Sequence, residues 1–139
     1  MISEEDIAAK ALAYAEAAAD LPMVWGESDC TAWARSWVEG IHGRRMNLPE
    51  WSSREDATAF ITKAGSLDAL WSPALDEYGL RERYGEPQPG DIGIIMTHVA
   101  PQIGGIFLNH GLFAWRAEPS GARVLRPRQR TIVKVWALL

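Results

Sequence analysis

Trp25-Gly26-Glu27-Ser28-Asp29-Cys30 ends in the only cysteine of the 139-residue chain, and it stands where a helix begins. Ser28 and Asp29 both favour the N-cap position, where a side-chain oxygen accepts from the first free backbone N–H groups. Beyond them, Cys30, Trp33, Ala34, Trp37, Val38 and Ile41 recur at i, i+3, i+4, i+7, i+8 and i+11, one continuous apolar stripe. A thiol in the first turn of such a helix lies near unpaired N–H groups and the positive end of the helix dipole. Both favour the nucleophilic thiolate. The same position admits a plainer reading, because free cysteine is often a small buried hydrophobe and Cys30 lies on the stripe that faces the core.

Working toward the N-terminus, Ser3 with Asp6 resembles a capping box that opens an alanine-rich helix to about Asp20. Its apolar face uses Ile7, Ala11, Tyr14, Ala15 and Ala18, and Leu21-Pro22 breaks it. Toward the C-terminus, the cysteine helix should stop near Gly40 or Gly43. Ser52 with Glu55 makes a second capping box for a helix ending at Gly65, and a short helix covers Leu67 to Trp71, before Pro73, with another turn around Ala74 to Tyr78.

From Gly85 the texture changes. Glu86-Pro87-Gln88-Pro89-Gly90-Asp91 is a turn cluster, followed by short apolar runs at Ile92–Met96, Ile103–Leu108, Leu112–Ala117 and Arg123–Leu125. Between the first two, His98 to Gln102 reads as a loop around Pro101, and Thr131 to Leu138 closes the chain as a β-branched strand. Helices first and an antiparallel meander after them give an α+β domain over residues 1–139, helical to about 84 and sheet from about 85. The helices pack on one side of a small, partly barrel-like sheet.

Apolar content of 47% and charge of 23% are those of an ordinary globular protein. A net charge of −4 argues against nucleic acid or an anionic membrane as partner. One cysteine excludes an internal disulfide, and no run approaches the roughly twenty apolar residues a membrane span needs. The acidic Met1-Ile2-Ser3-Glu4-Glu5-Asp6 start has no apolar signal region, so synthesis and folding in the bacterial cytoplasm are expected. Seven tryptophans are many for this length, and Trp33 and Trp37, on the stripe, belong to the core. The histidines lack metal-like spacing with Cys30, so neither metal nor cofactor is expected.

A cysteine at a helix start, followed about sixty residues later by Pro89-Gly90-Asp91 and a sheet of short strands, resembles the NlpC/p60 superfamily of papain-like cysteine peptidases and amidases. The resemblance rests on Asp29-Cys30, on Pro89-Gly90-Asp91, and on Ile103-Gly104-Gly105-Ile106-Phe107-Leu108, which matches the family's His-Val-Gly-Ile-Tyr-Leu-Gly strand. The Trp-Gly-x-x-Asp-Cys form and the terminal Val135-Trp136 look closest to a phage- and prophage-associated branch encoded among tail genes. The resemblance implies a hydrolase that cuts peptidoglycan stem peptides through Cys30. It also implies virion-borne tail proteins as partners.

That chemistry needs a thiolate, an imidazole that holds the proton, and a third polar group that orients the imidazole. The family's histidine opens the strand that here begins with Ile103, and its third group falls close to Trp115. Neither side chain can serve. If Ile92–Thr97 and Ile103–Leu108 form a hairpin, His98 pairs across the loop with Ile103 and presents an imidazole on the site's side. A shift of one residue turns that ring away. His110 is five rises of roughly 3.3 Å from Ile103, and His42 is about three helical turns from Cys30, too far in both cases. The candidate catalytic pair is therefore Cys30 and His98. The alternative is a catalytically degenerate structural or binding component of a phage-tail-like assembly.

Overall fold

A computed structural model describes residues 3–98 and 102–139. Among the described residues, four α-helices precede the whole sheet: α1 (Glu4–Ala17), α2 (Cys30–His42), α3 (Arg54–Ala64) and α4 (Leu67–Tyr78). Six strands follow: β1 (Arg81–Glu82), β2 (Ile92–Ile95), β3 (Ile103–Phe107), β4 (Phe113–Arg116), β5 (Ala122–Leu125) and β6 (Ile132–Ala137). The α+β class and the helix-then-sheet order are as the sequence leads one to expect.

The helix starts follow from local chemistry. Ser3 caps α1 through the Asp6 N–H, and Asp29 caps α2 through the Thr31 and Ala32 N–H groups. Gly43, in the left-handed region, ends α2. The third cap is Ser53, not Ser52: Ser53 accepts from the Asp56 N–H while the Ser52 hydroxyl bonds the Asp56 carboxylate. The break expected before Pro73 does not occur, and α4 runs through the proline. Trp71, Ala74, Leu75 and Tyr78 straddle it and are all buried, so the packing of both halves on one core outweighs the missing backbone hydrogen bond.

The strand order is β1-β6-β2-β3-β4-β5. Strands β2 to β5 form the expected antiparallel meander, but β6 returns between β1 and β2 and pairs with both. The sheet buries two faces. Ile92, Ile94, Ile106, Ala114 and Trp136 face the helices in a core with Trp33, Trp37 and Trp71. Ile95, Phe107, Phe113 and Val135 form a second cluster on the opposite face, with Ile103, Trp115, Leu125 and Ile132 packed against it.

Asp91, nearly fully buried, locks the sheet's entry to the chain end. Its carboxylate accepts from Arg83 Nε at 2.5 Å, from the Gln88 N–H at 2.8 Å and from the Leu138 N–H at 3.1 Å. The Pro89-Gly90-Asp91 motif thus has an architectural role.

Candidate functional site

The loop before α2 is built around the Asp29 carboxylate, which is fully buried. Besides its two cap bonds it accepts from the Gly26 N–H at 2.6 Å and from Trp51 Nε1 at 3.1 Å. Gly26 has a φ of +87°, and a Cβ there would lie 2.0 Å from the Trp51 carbonyl oxygen, so only glycine fits. The Gly-x-x-Asp-Cys spacing is a loop-closing device: the glycine and the aspartate clamp each other and deliver Cys30 into the first turn of α2.

Cys30 keeps partial exposure, but its surroundings are dense enough that burial is the largest cause of a raised thiol pKa, and the Asp29 charge adds to it. Opposing them, the Gly104 backbone and the Thr31 backbone and hydroxyl, all close to the sulfur, pull the pKa down by a smaller amount. The Thr31 hydroxyl is itself fixed, because it accepts from Trp71 Nε1 at 3.0 Å. The balance favours the neutral thiol. The helix-dipole argument for a thiolate is outweighed by burial and by the adjacent carboxylate.

Strand β3 meets Cys30 through Gly104. Alternation along the strand puts Gly104 and Ile106 on the helix side, while Ile103 packs with the opposite cluster. The site-facing position at the start of the strand is therefore Gln102, not Ile103. Its side-chain oxygen accepts from the Asp68 N–H in the first turn of α4, at 2.9 Å. The same parity puts Trp115 on the far face, and Ala114 and Arg116 on the site's side of β4. Arg116 is committed elsewhere: its guanidinium donates to the Gly121 and Leu21 carbonyls at 2.9 and 2.8 Å.

Trp71 fills the space in front of Gly104. A Cβ on Gly104 would lie 2.4 to 2.5 Å from the six-membered ring of that indole. The β3 position that faces the thiol carries a backbone amide beneath the Trp71 indole.

His98 does not take the place expected from a hairpin that pairs it with Ile103. Ile103 pairs with Ile95, where β2 ends, and the β2–β6 register shifts at Ile94/Ile95. The pairing with β3 ends at Ile95, Met96 donates one last backbone hydrogen bond to the Thr131 carbonyl, and His98 is exposed beyond the strand. Part of the expected loop around Pro101, residues 99–101, lies outside the described residues. Among the described residues, no hydrogen bond joins any histidine to Cys30. His42 lies at the far end of α2 with Nε2 2.6 Å from the Leu138 carbonyl, and His110 sits in the turn after β3. No group of three or more His, Cys, Asp or Glu suited to a metal ion occurs among the described residues. Among the described residues, no helix is long and apolar enough to cross a membrane.

A family profile, described as a domain of unknown function, DUF6950, matches residues 4–138. The chain belongs to the DUF6950 family. A comparison with curated protein sequences finds no match. Among solved structures, the NlpC/p60 domain of the peptidoglycan hydrolase SagA superposes with a TM-score of 0.57 at 15% identity, covering 98% of this chain and 99% of that one. The DUF6950 chain thus has an NlpC/p60-like fold over its whole length. The superposition bears on the fold alone.

Proposed function

We propose that this DUF6950 chain is a non-hydrolysing member of the NlpC/p60-like fold that serves as a structural or binding component of a phage-tail-like assembly. The observation behind the non-hydrolysing reading is the Cys30 environment: a partly exposed but closely packed thiol whose facing strand offers the Gly104 N–H beneath Trp71. A peptide hydrolase of this class needs a thiolate and an adjacent imidazole in the same cleft. Here the neighbouring carboxylate opposes thiolate formation, and Gln102, at the site-facing position, can neither take nor give a proton at neutral pH. The tail setting rests on the Trp25-to-Cys30 motif and the terminal Val135-Trp136 strand, which resemble a tail-gene branch.

The competing proposal keeps Cys30 as nucleophile and His98 as base, with peptidoglycan stem peptides as substrate. Iodoacetamide alkylation across pH separates the two. The non-hydrolysing reading expects a rate that still rises above pH 9, because the thiol titrates above its ordinary 9.0. A rate that levels off below neutral pH and is lowered by His98→Ala would overturn it in favour of the dyad. For the tail setting, antibodies against this chain should label purified tail particles from a producing strain. Particles of full composition without the chain would remove that part.

A further inference from the structure

We infer that β5 is a docking edge for an extended, alternately acidic and apolar segment of a partner protein, which adds to the sheet as a further strand. This surface does not involve Cys30, so neither hydrolysis nor its absence bears on it.

The sheet ends at β5, which among the described residues pairs with β4 alone. In that pair the Ala117 N–H donates to the Gly121 carbonyl at 3.0 Å. With Trp115 opposite Arg123 and Ala114 opposite Val124, antiparallel alternation turns the Arg123 groups toward β4 and the Val124 N–H and carbonyl toward the open edge. Val124 is also 49% exposed, a large apolar side chain on the sheet's terminal strand. Backbone donors, acceptors and apolar surface are therefore offered together, as strand addition requires.

Charge defines the partner. Arg123, Arg126, Arg128 and Arg130 fall within eight residues of a chain whose net charge is −4. All four are exposed, and their side chains make no ion pair or hydrogen bond among the described residues. Charges that merely guard an edge sit on the strand itself. Only Arg123 does; the other three follow Leu125, where β5 has ended. Guanidinium forks suit carboxylates, so an acidic segment fits better than a neutral one. Arg123 and Val124 point to opposite faces, so an added strand meets the arginine with one set of side chains and the valine with the other. An alternating acidic and apolar sequence matches both.

The test uses the whole protein, labelled with nitrogen-15, and a Glu-Val-Glu-Val-Glu-Val-Glu peptide. Two controls accompany it: the same peptide N-methylated at alternate residues, which keeps the charge but cannot complete the ladder, and inorganic polyphosphate. The expected result is saturable binding with amide shifts and slowed hydrogen exchange centred on residues 122–125. The N-methylated peptide should bind roughly tenfold more weakly. Arg123→Gln with Arg126→Gln, both surface changes that leave the core intact, should also weaken the parent peptide by roughly tenfold. Absence of peptide binding, or shifts elsewhere on the molecule, overturns the inference. So does equal binding of the N-methylated peptide or of polyphosphate, which would mark a polyanion patch rather than a strand site.

Discussion

Replacing Asp29 with alanine removes the acceptor for four donors at once: the Gly26, Thr31 and Ala32 N–H groups and Trp51 Nε1, at 2.6 to 3.1 Å. Loss of an N-cap alone costs about 1 kcal/mol. Each buried donor left without a partner adds about 1 kcal/mol or more, because water does not replace the lost acceptor. Three of these bonds are buried, so the expected loss is on the order of 3–5 kcal/mol, a large share of the 5–15 kcal/mol that holds a typical domain. Asp29→Asn keeps one oxygen but turns an amide N–H₂ toward another donor, so about 1–3 kcal/mol is expected. Urea unfolding followed by tryptophan fluorescence measures both. The same asparagine variant has a second readout. Asp29 is the charge that helps raise the Cys30 pKa, so its removal should lower that pKa and speed alkylation at fixed pH. An alanine variant that loses less than about 1 kcal/mol, or an asparagine variant with unchanged or slower alkylation, would refute the description of Asp29 as both clamp and suppressor.

Gly104→Ala drives a methyl into Trp71, so it should destabilise the fold by about 1–3 kcal/mol, and Trp71→Leu in the same chain should recover part of the loss in a double-mutant cycle. Arg83→Ala leaves the buried Asp91 carboxylate with only backbone N–H partners, and thermal or urea unfolding should show a loss of about 3 kcal/mol. Burial pushes the Tyr14 hydroxyl from 10.0 to about 12. The unfolded chain therefore releases that proton first, and the Tyr14 contribution to stability, constant below about 10, should fall as pH rises toward 12. Cys30 acts in the same direction above 9.0, so Tyr14→Phe should flatten the decline without abolishing it.

What the sequence made legible was local. The stripe from Cys30 to Ile41, the caps at Ser3 and Asp29, and the apolar runs of the sheet are set by neighbours a few residues apart, and the structure has them. β1 was not legible, because Arg81-Glu82 is two exposed charged residues with no alternation to read. The insertion of β6 between β1 and β2 was not legible either, since strand order depends on long-range pairing. Pro73 signalled a helix end, and only the buried residues on both sides of it explain why α4 continues. The site differed by one position in register. Aligning the family's histidine with Ile103 places it on the wrong face, and the parity is fixed by Trp71 packing against Gly104. The Gly104-Gly105 pair carried that signal, because consecutive glycines in a strand mark places where neighbouring groups approach closely.

We propose that Cys30 stands in this NlpC/p60-like fold without a catalytic base. Incubating the intact protein with purified muropeptides, with Cys30→Ala and His98→Ala as controls and product release followed by chromatography, tests it most directly. No turnover above the Cys30→Ala background is expected at any pH from 5 to about 9, the interval in which an imidazole-assisted thiol would work. Turnover by the intact protein that disappears in both variants would contradict it and assign Cys30 and His98 to a working dyad.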